Sequence, residues 1–146
     1  MRVYNNLMGN NSKINASEIA YKDINNNVDT LDNILNNSSS LVEQSFSNKS
    51  CTHDALTTLK SIQIPAGRWI IVGQFVYNGT NLRYYLNLNN GTNDIAAISS
   101  YDNAGIVAGN ISTIIEVSQP TTISLNIYPN TKTIAADGYL KAIKNF

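Results

Sequence analysis

The sequence predicts a mainly β protein, an antiparallel jelly-roll sandwich head preceded by a short N-terminal α-helical coiled-coil stalk. Three observations carry that expectation. From Leu56 onward the chain is rich in Ile, Val, Thr and Tyr, with turn residues at short intervals, the pattern of short antiparallel strands. Up to residue 55 it is rich in Asn and Ser, with apolar residues widely spaced. Within that first part, Ile24, Val28, Leu31 and Leu35 fall four, three and four residues apart, the rhythm of a helical seam. The shift near residue 55 sets three segments: residues 1–20, residues 21–55 as helical stalk and linker, and residues 56–146 as the head.

In the stalk, a heptad frame places Ile14, Tyr21, Val28, Leu35 and Val42 at a, and Ser17, Ile24, Leu31 and Ser38 at d, so that seven of nine positions are apolar. Asn15 or Ser17 supplies an N-cap and Glu18 an acidic first turn; the run Asn36 to Ser40 should end or interrupt the helix. The stripe is narrower than the apolar band of a helix packed on a globular core and matches a coiled-coil seam. The best-formed part, Asp23 to Leu35, is marginal in water by its length, and Asn25, Asn26, Asn27 and Asn33 weaken it further. Such a helix needs partners, either copies of itself or, as the alternative, the protein's own sheet.

The head reads as strands in order. "LKSIQI" (Leu59 to Ile64) runs into a turn at Pro65 and Gly67. "RWIIVGQFVY" (Arg68 to Tyr77) follows, closed by the hairpin signal Asn78-Gly79. "LRYYLNL" alternates, with Leu82, Tyr84, Leu86 and Leu88 inward and Arg83, Tyr85 and Asn87 outward. "IAAISS", "NISTIIEV", "TTISLNIY" and "GYLKAIKNF" complete the set, with Ile111, Ile115 and Val117 on one face and Ile123, Leu125 and Ile127 on another. The strand Arg68 to Tyr77 is unusual in being apolar on both sides: Trp69, Ile71, Phe75 and Tyr77 on one, Ile70, Val72 and Val76 on the other. An antiparallel strand with one solvated face should not look like that. The second face implies a neighbouring subunit or, alternatively, a covering loop.

Composition narrows the function classes. Charged residues make up 14% of the chain and the formal net charge is zero, so no broad basic field exists for nucleic acid or anionic lipid. No stretch approaches the ~20 apolar residues needed to cross a bilayer, and the first residues lack the apolar core of a signal peptide, which implies no membrane insertion and synthesis in the cytoplasm. One cysteine, Cys51, and one histidine, His53, do not complete a tetrahedral metal site; both read as incidental, and no cofactor or metal is expected.

"IPAGRWIIVGQFVY" (Ile64 to Tyr77) and "ISLNIYPNTKTIAADGYLKAIKNF" (Ile123 to Phe146) resemble the C-terminal head domain of bacteriophage fibre proteins. Those heads resemble the C1q/TNF-type jelly roll and assemble as trimers. "SEIAYKDINNNVDTLDNIL" (Ser17 to Leu35) is similar to the short segment that precedes such heads. The sequence departs from long fibres in having no collagen-like Gly-x-y shaft and no repeated triple-β shaft. The resemblance therefore implies a small homotrimeric fibre or spike of the virion, made in the host cytoplasm. Residues 1–20 would anchor it to capsid or tail/baseplate proteins, and the head would bind a host cell-surface glycan. Its trimer interface would be formed by Ile24, Val28, Leu31, Leu35, Ile70, Val72 and Val76. The alternative is a capsid or tail decoration protein with a structural role and no receptor.

Glycan chemistry suits the head's loops, where Tyr faces stack on sugar rings and Asn amides meet hydroxyls. The candidates are Tyr77, Asn78 and Asn81 in "YNGTN", Asn90 and Asp94 in "NNGTND", and Tyr101, Asp102 and Asn103 in "YDNAG". The plain alternative is that these Asn-Gly loops only form turns. Arg83 and Tyr85, on an outward strand face, are a second candidate. No enzyme is expected: the P-loop and G-x-S-x-G signatures are missing. The less favoured hydrolase reading would have to draw a carboxylate pair from Asp94, Asp102, Glu116 and Asp137.

Overall fold

The computed structural model describes residues 40–145, and those residues form eight strands. They are β1 (Leu41–Cys51), β2 (Thr57–Ile64), β3 (Gly67–Tyr77), β4 (Leu82–Asn89), β5 (Asp94–Asp102), β6 (Val107–Val117), β7 (Thr121–Pro129) and β8 (Ile134–Lys144). Two four-stranded sheets result, ordered β1-β8-β3-β6 and β2-β7-β4-β5. Every pairing is antiparallel, and the pairs nest: first with last, second with seventh, third with sixth, fourth with fifth. That nesting is the winding of a jelly roll, a long hairpin rolled so that its two halves become two facing sheets.

Alternation builds the core. Leu82, Tyr84, Leu86 and Leu88 of β4 and Ile123, Leu125 and Ile127 of β7 all face inward and are buried. Against them, β3 and β8 present Trp69, Ile71, Phe75, Leu140 and Ala142, each fully buried. Leu59, Ile62 and Ile64 break strict alternation, yet all three reach the core because a bulge between Thr58 and Lys60 absorbs the extra residue. Phe75 and Tyr84 meet edge to face between the sheets, with ring centroids 4.8 Å apart at 82°. Gly109 opposite them has no side chain because a Cβ there would strike the Phe75 ring and the Tyr84 hydroxyl.

The strands expected from Leu59 onward are present, at most a few residues longer than the pattern suggested. β1 corrects the reading of residues 41–55 as stalk and linker. Leu41–Cys51 is a sandwich strand paired along β8, and Val42, given a heptad a position, is packed against the core. The strand was hidden because it lies at a sheet edge and exposes most of its side chains. It carries Glu43, Gln44 and Lys49 and bends at a bulge between Phe46 and Lys49, with Asn48 at φ 51°. These are the devices by which edge strands avoid pairing with other chains, and they erase the alternation that sequence reading depends on. The rest of the heptad frame, Ile14 to Ser38, and residues 1–20 lie outside the described residues. Among the described residues there is no helix.

The outer face of the β2-β7-β4-β5 sheet is tied by side chains. Thr58 Oγ1 donates to Asn126 Oδ1 (2.7 Å), and Asn126 Nδ2 donates to Asn87 Oδ1 (2.9 Å). Further along β4, the Tyr85 hydroxyl and Asn89 Nδ2 donate to the two oxygens of Asp94. Asn87 and Asn126 are buried although they point away from the core, so each depends on its partner. Asn126→Ala is expected to lower stability by about 1–3 kcal/mol in urea unfolding, since it leaves the Asn87 carbonyl unsatisfied. Ser61→Ala, which removes one half of an exposed hydroxyl pair with Ser124, should stay within ~0.5 kcal/mol.

Candidate functional site

Strand direction sorts the loops into two ends. The β1–β2, β3–β4, β5–β6 and β7–β8 connections gather at one end, and the β2–β3, β4–β5 and β6–β7 connections at the other. The candidate loop residues therefore divide. Tyr77, Asn78, Asn81, Tyr101, Asp102 and Asn103 belong to the first end, while Asn90 and Asp94 belong to the second. The first end is knit together across loops: the Tyr101 hydroxyl donates to Asn81 Oδ1 (2.6 Å) and Thr131 Oγ1 donates to the Asn81 carbonyl (3.1 Å). Lys132 Nζ donates to the Thr80 carbonyl (2.7 Å) and sits 5.9 Å from the Tyr77 ring centre.

At that end, Arg83 and Tyr101 face each other across β4 and β5. The guanidinium lies 4.9 Å from the Tyr101 ring centre, within cation–π range. The Arg83 backbone is pinned from both sides, its N–H to Thr131 Oγ1 (3.3 Å) and its carbonyl to the Asn130 N–H (2.7 Å). Beside it a cleft of about 350 Å³ is lined by Arg83, Tyr84, Ser99, Ser100, Tyr101 and Asn130. Burial holds the Tyr84 phenol above its ordinary pKa range, with the Ser100 hydrogen bond acting the other way. Sequence reading found Arg83 and Tyr101 separately. It missed Ser99, Ser100 and Asn130, which come from a strand edge and a fourth loop with no local signature.

Besides Asn81 and Tyr101, three more of the candidates have engaged side chains. Asn90 Oδ1 accepts from Thr92 N, Thr92 Oγ1 and Asn93 N, which makes it a turn former. Asp94 is held by Tyr85 and Asn89, and the bond to Asp94 pushes the Tyr85 phenol up. Asp102 Oδ1 accepts the Ala104 N–H, again closing a turn. Two of the carboxylate pairs are far apart: Asp94 and Asp102 stand at opposite ends of β5, about 26 Å apart at ~3.3 Å per residue. Glu116 and Asp137 are equally far apart, facing Arg68 and Val76 on either side of β3. The 350 Å³ cleft contains no carboxylate, and a second groove of about 510 Å³ at the opposite end contains Glu116 alone. Neither concavity offers the pair a glycosidase needs.

Cys51 closes β1 fully buried, and burial pushes its thiol up to about 11, so it stays protonated at neutral pH. His53 is exposed, with Nε2 3.1 Å from the Asn130 carbonyl and 3.3 Å from the Asp54 carboxylate.

The outer face of the β1-β8-β3-β6 sheet carries Ile70, Val72 and Val76, all half-buried. Register places Ile70 in an apolar row that crosses the whole sheet: Leu41, Ile143, Ile70, Ile114. Leu41 is 49% exposed, Ile143 37% and Ile114 54%. Val72 borders this row, whereas Val76 faces Asp137 and Ala108 toward the other end. Leu41, Ile114 and Ile143 were not singled out from the sequence. The available signal was "TIIEV", where consecutive Ile114 and Ile115 must point to opposite faces. The row lies at the end where β1 begins, opposite the Arg83 cleft.

No protein-family model and no curated protein matches the sequence. Solved structures match in shape. PRD1 vertex protein P5 superimposes with a TM-score of 0.51 at 16% identity, covering 72% of this chain and 96% of that one. The infectious bursal disease virus Gx strain structure gives 0.50 at 15% identity, covering 70% of this chain and 31% of that one. The VP2 subviral particle of the same virus gives 0.50 at 15%, covering 71% and 32%. The chain thus spans about a third of the length of the bursal virus chains. At these identities the likeness establishes a shared β-sandwich fold.

Proposed function

We propose that this chain is a non-enzymatic structural protein of a virion, a homotrimeric fibre or spike. Residues 1–20 dock on capsid or tail/baseplate proteins, the heptad segment with Ile24, Val28, Leu31 and Leu35 forms a short stalk, and the β head meets a host-surface glycan. The observation that carries the reading is the apolar row Leu41–Ile143–Ile70–Ile114. Three of its members are more than a third exposed, and lateral association would bury them. The polarity of the head supports it: the row lies where β1 enters and the polar cleft at the far end, as a molecule anchored at one end and binding with the other requires. The fold agrees, since the solved structures it resembles include a VP2 subviral particle and PRD1 vertex protein P5.

Size in solution tests the assembly. The full chain should sediment near 48 kDa, three times the 16.0 kDa of one copy. Ile114→Asp, at a position more than half exposed in the single chain, should yield folded monomers, because an unpaired charge would be desolvated in the interface. Val28→Asp with Leu31→Asp should leave the trimer intact, because the head is its clasp. A monomeric wild type at micromolar concentration, or a trimeric Ile114→Asp variant, would overturn the assignment.

A further inference from the structure

The geometry points to the Arg83 cleft as a site for an acidic saccharide, with Arg83 taking a sugar carboxylate. This deepens the glycan-binding reading above and rests on it.

The argument begins with charge. Arg83 is exposed and presents a guanidinium cation. Among the described residues no carboxylate lies within 4.0 Å of it, and the one ion pair of that length is His53 with Asp54. The nearest acid along β5, Asp102, accepts the Ala104 N–H at Oδ1; its charge reaches the Tyr84 phenol at the cleft but makes no ion pair with Arg83. A cation left without a counterion beside a cleft is a standing offer to an anion.

The second element is rigidity. The Tyr101 ring is fixed at its hydroxyl by Asn81 and holds the guanidinium over its face. Both backbone groups of Arg83 are tied to the β7–β8 loop. A free arginine side chain sacrifices rotamer entropy on binding, whereas a stacked one has given up much of it beforehand. The fork of a guanidinium matches the two oxygens of a carboxylate in a bidentate pair.

The third element is the lining. Ser99, Ser100 and Asn130 supply hydroxyl and amide groups that donate and accept, which suits the hydroxyls of a sugar ring rather than an apolar ligand. At about 350 Å³ the cleft is at the small end of the range for ligand sites, the scale of one saccharide unit rather than a polymer groove. One cation and several neutral hydrogen-bonding groups match a monoanion. A phosphate ester, with its higher charge, would leave a negative excess unpaired.

Nuclear magnetic resonance titration of the full-length protein at low salt with glucuronate, glucose and glucose 6-phosphate tests this. Glucuronate should shift the amides of Arg83, Ser99, Ser100 and Tyr101 and bind at least tenfold more tightly than glucose. Arg83→Gln should abolish that advantage while leaving the spectrum folded, and Arg83→Lys should restore only part of it, because the fork and the stacking are lost. Tighter binding of glucose 6-phosphate than of glucuronate would overturn the carboxylate assignment. Equal binding of glucose and glucuronate, or an Arg83→Gln variant that binds glucuronate normally, would overturn the role of Arg83 while leaving a glycan-binding head. No shift with any of the three overturns the cleft assignment, and failure of the same protein to bind host cell-wall polysaccharide would remove the glycan reading itself.

Discussion

Replacing Trp69 by alanine is expected to cost about 3–5 kcal/mol, the range for deleting a large buried aromatic. Trp69 is fully buried on the inner face of β3, near the start of the strand, so its removal leaves a cavity that two hydrogen-bonded sheets cannot close. Its indole N–H also donates to the Pro65 carbonyl (2.9 Å), tying the β2–β3 turn to the strand that follows. The Lys144 ammonium stands 5.0 Å from the ring centre, linking the end of β8 to the same residue. A domain of this size holds ~5–15 kcal/mol in all, so the loss removes a large share of it. Since Trp69 is the sole tryptophan, unfolding in urea must be followed by circular dichroism. Trp69→Phe should cost less, about 1–3 kcal/mol, losing the hydrogen bond and some volume. An alanine variant within 1 kcal/mol of the wild type would mean that the core is not organised around this ring.

A single methyl group at Gly138 should be nearly as damaging. Gly138 sits in β8 between β1 and β3, facing Phe46 on one side and Phe75 on the other. A Cβ there would run into the Gln74 carbonyl, which is backbone and held in the sheet, and into the end of the Phe46 ring. Flexible side chains can yield to such a contact; a paired carbonyl cannot without opening the ladder. Gly138→Ala is expected to destabilise by about 2–3 kcal/mol, the upper part of the overpacking range. Gly105→Ala is the control, because a Cβ at that loop position meets nothing within 4 Å; it should stay within ~0.5 kcal/mol. Equal, small effects at both positions would show that β8 and β3 do not approach as closely as described.

The candidate site was half legible. Arg83 and Tyr101 were each visible as outward or loop residues, because alternation along "LRYYLNL" fixes which side chains leave the core. That they face each other, with Asn130 and two serines beside them, follows from register and from a β7–β8 loop 47 residues farther along the chain than Arg83. Asn90 and Asp94 were drawn to the same list by composition. Tertiary structure placed them at the other end and engaged their oxygens in turn and strand bonds. Composition suggests a chemistry, but it carries no information about which loops converge.

By itself the sequence determined seven of the eight strands, the alternating faces of β4, β6 and β7 and the doubly apolar character of β3, since each depends only on neighbours two positions away. The tertiary structure alone decided that Leu41–Cys51 is an edge strand, that Ile70 belongs to a row of four apolar residues, and that the row and the Arg83 cleft lie at opposite ends. The reason is physical. A side chain's face is set by the pleat of its own strand, whereas its lateral neighbours are set by hydrogen-bond register with strands far away in the chain.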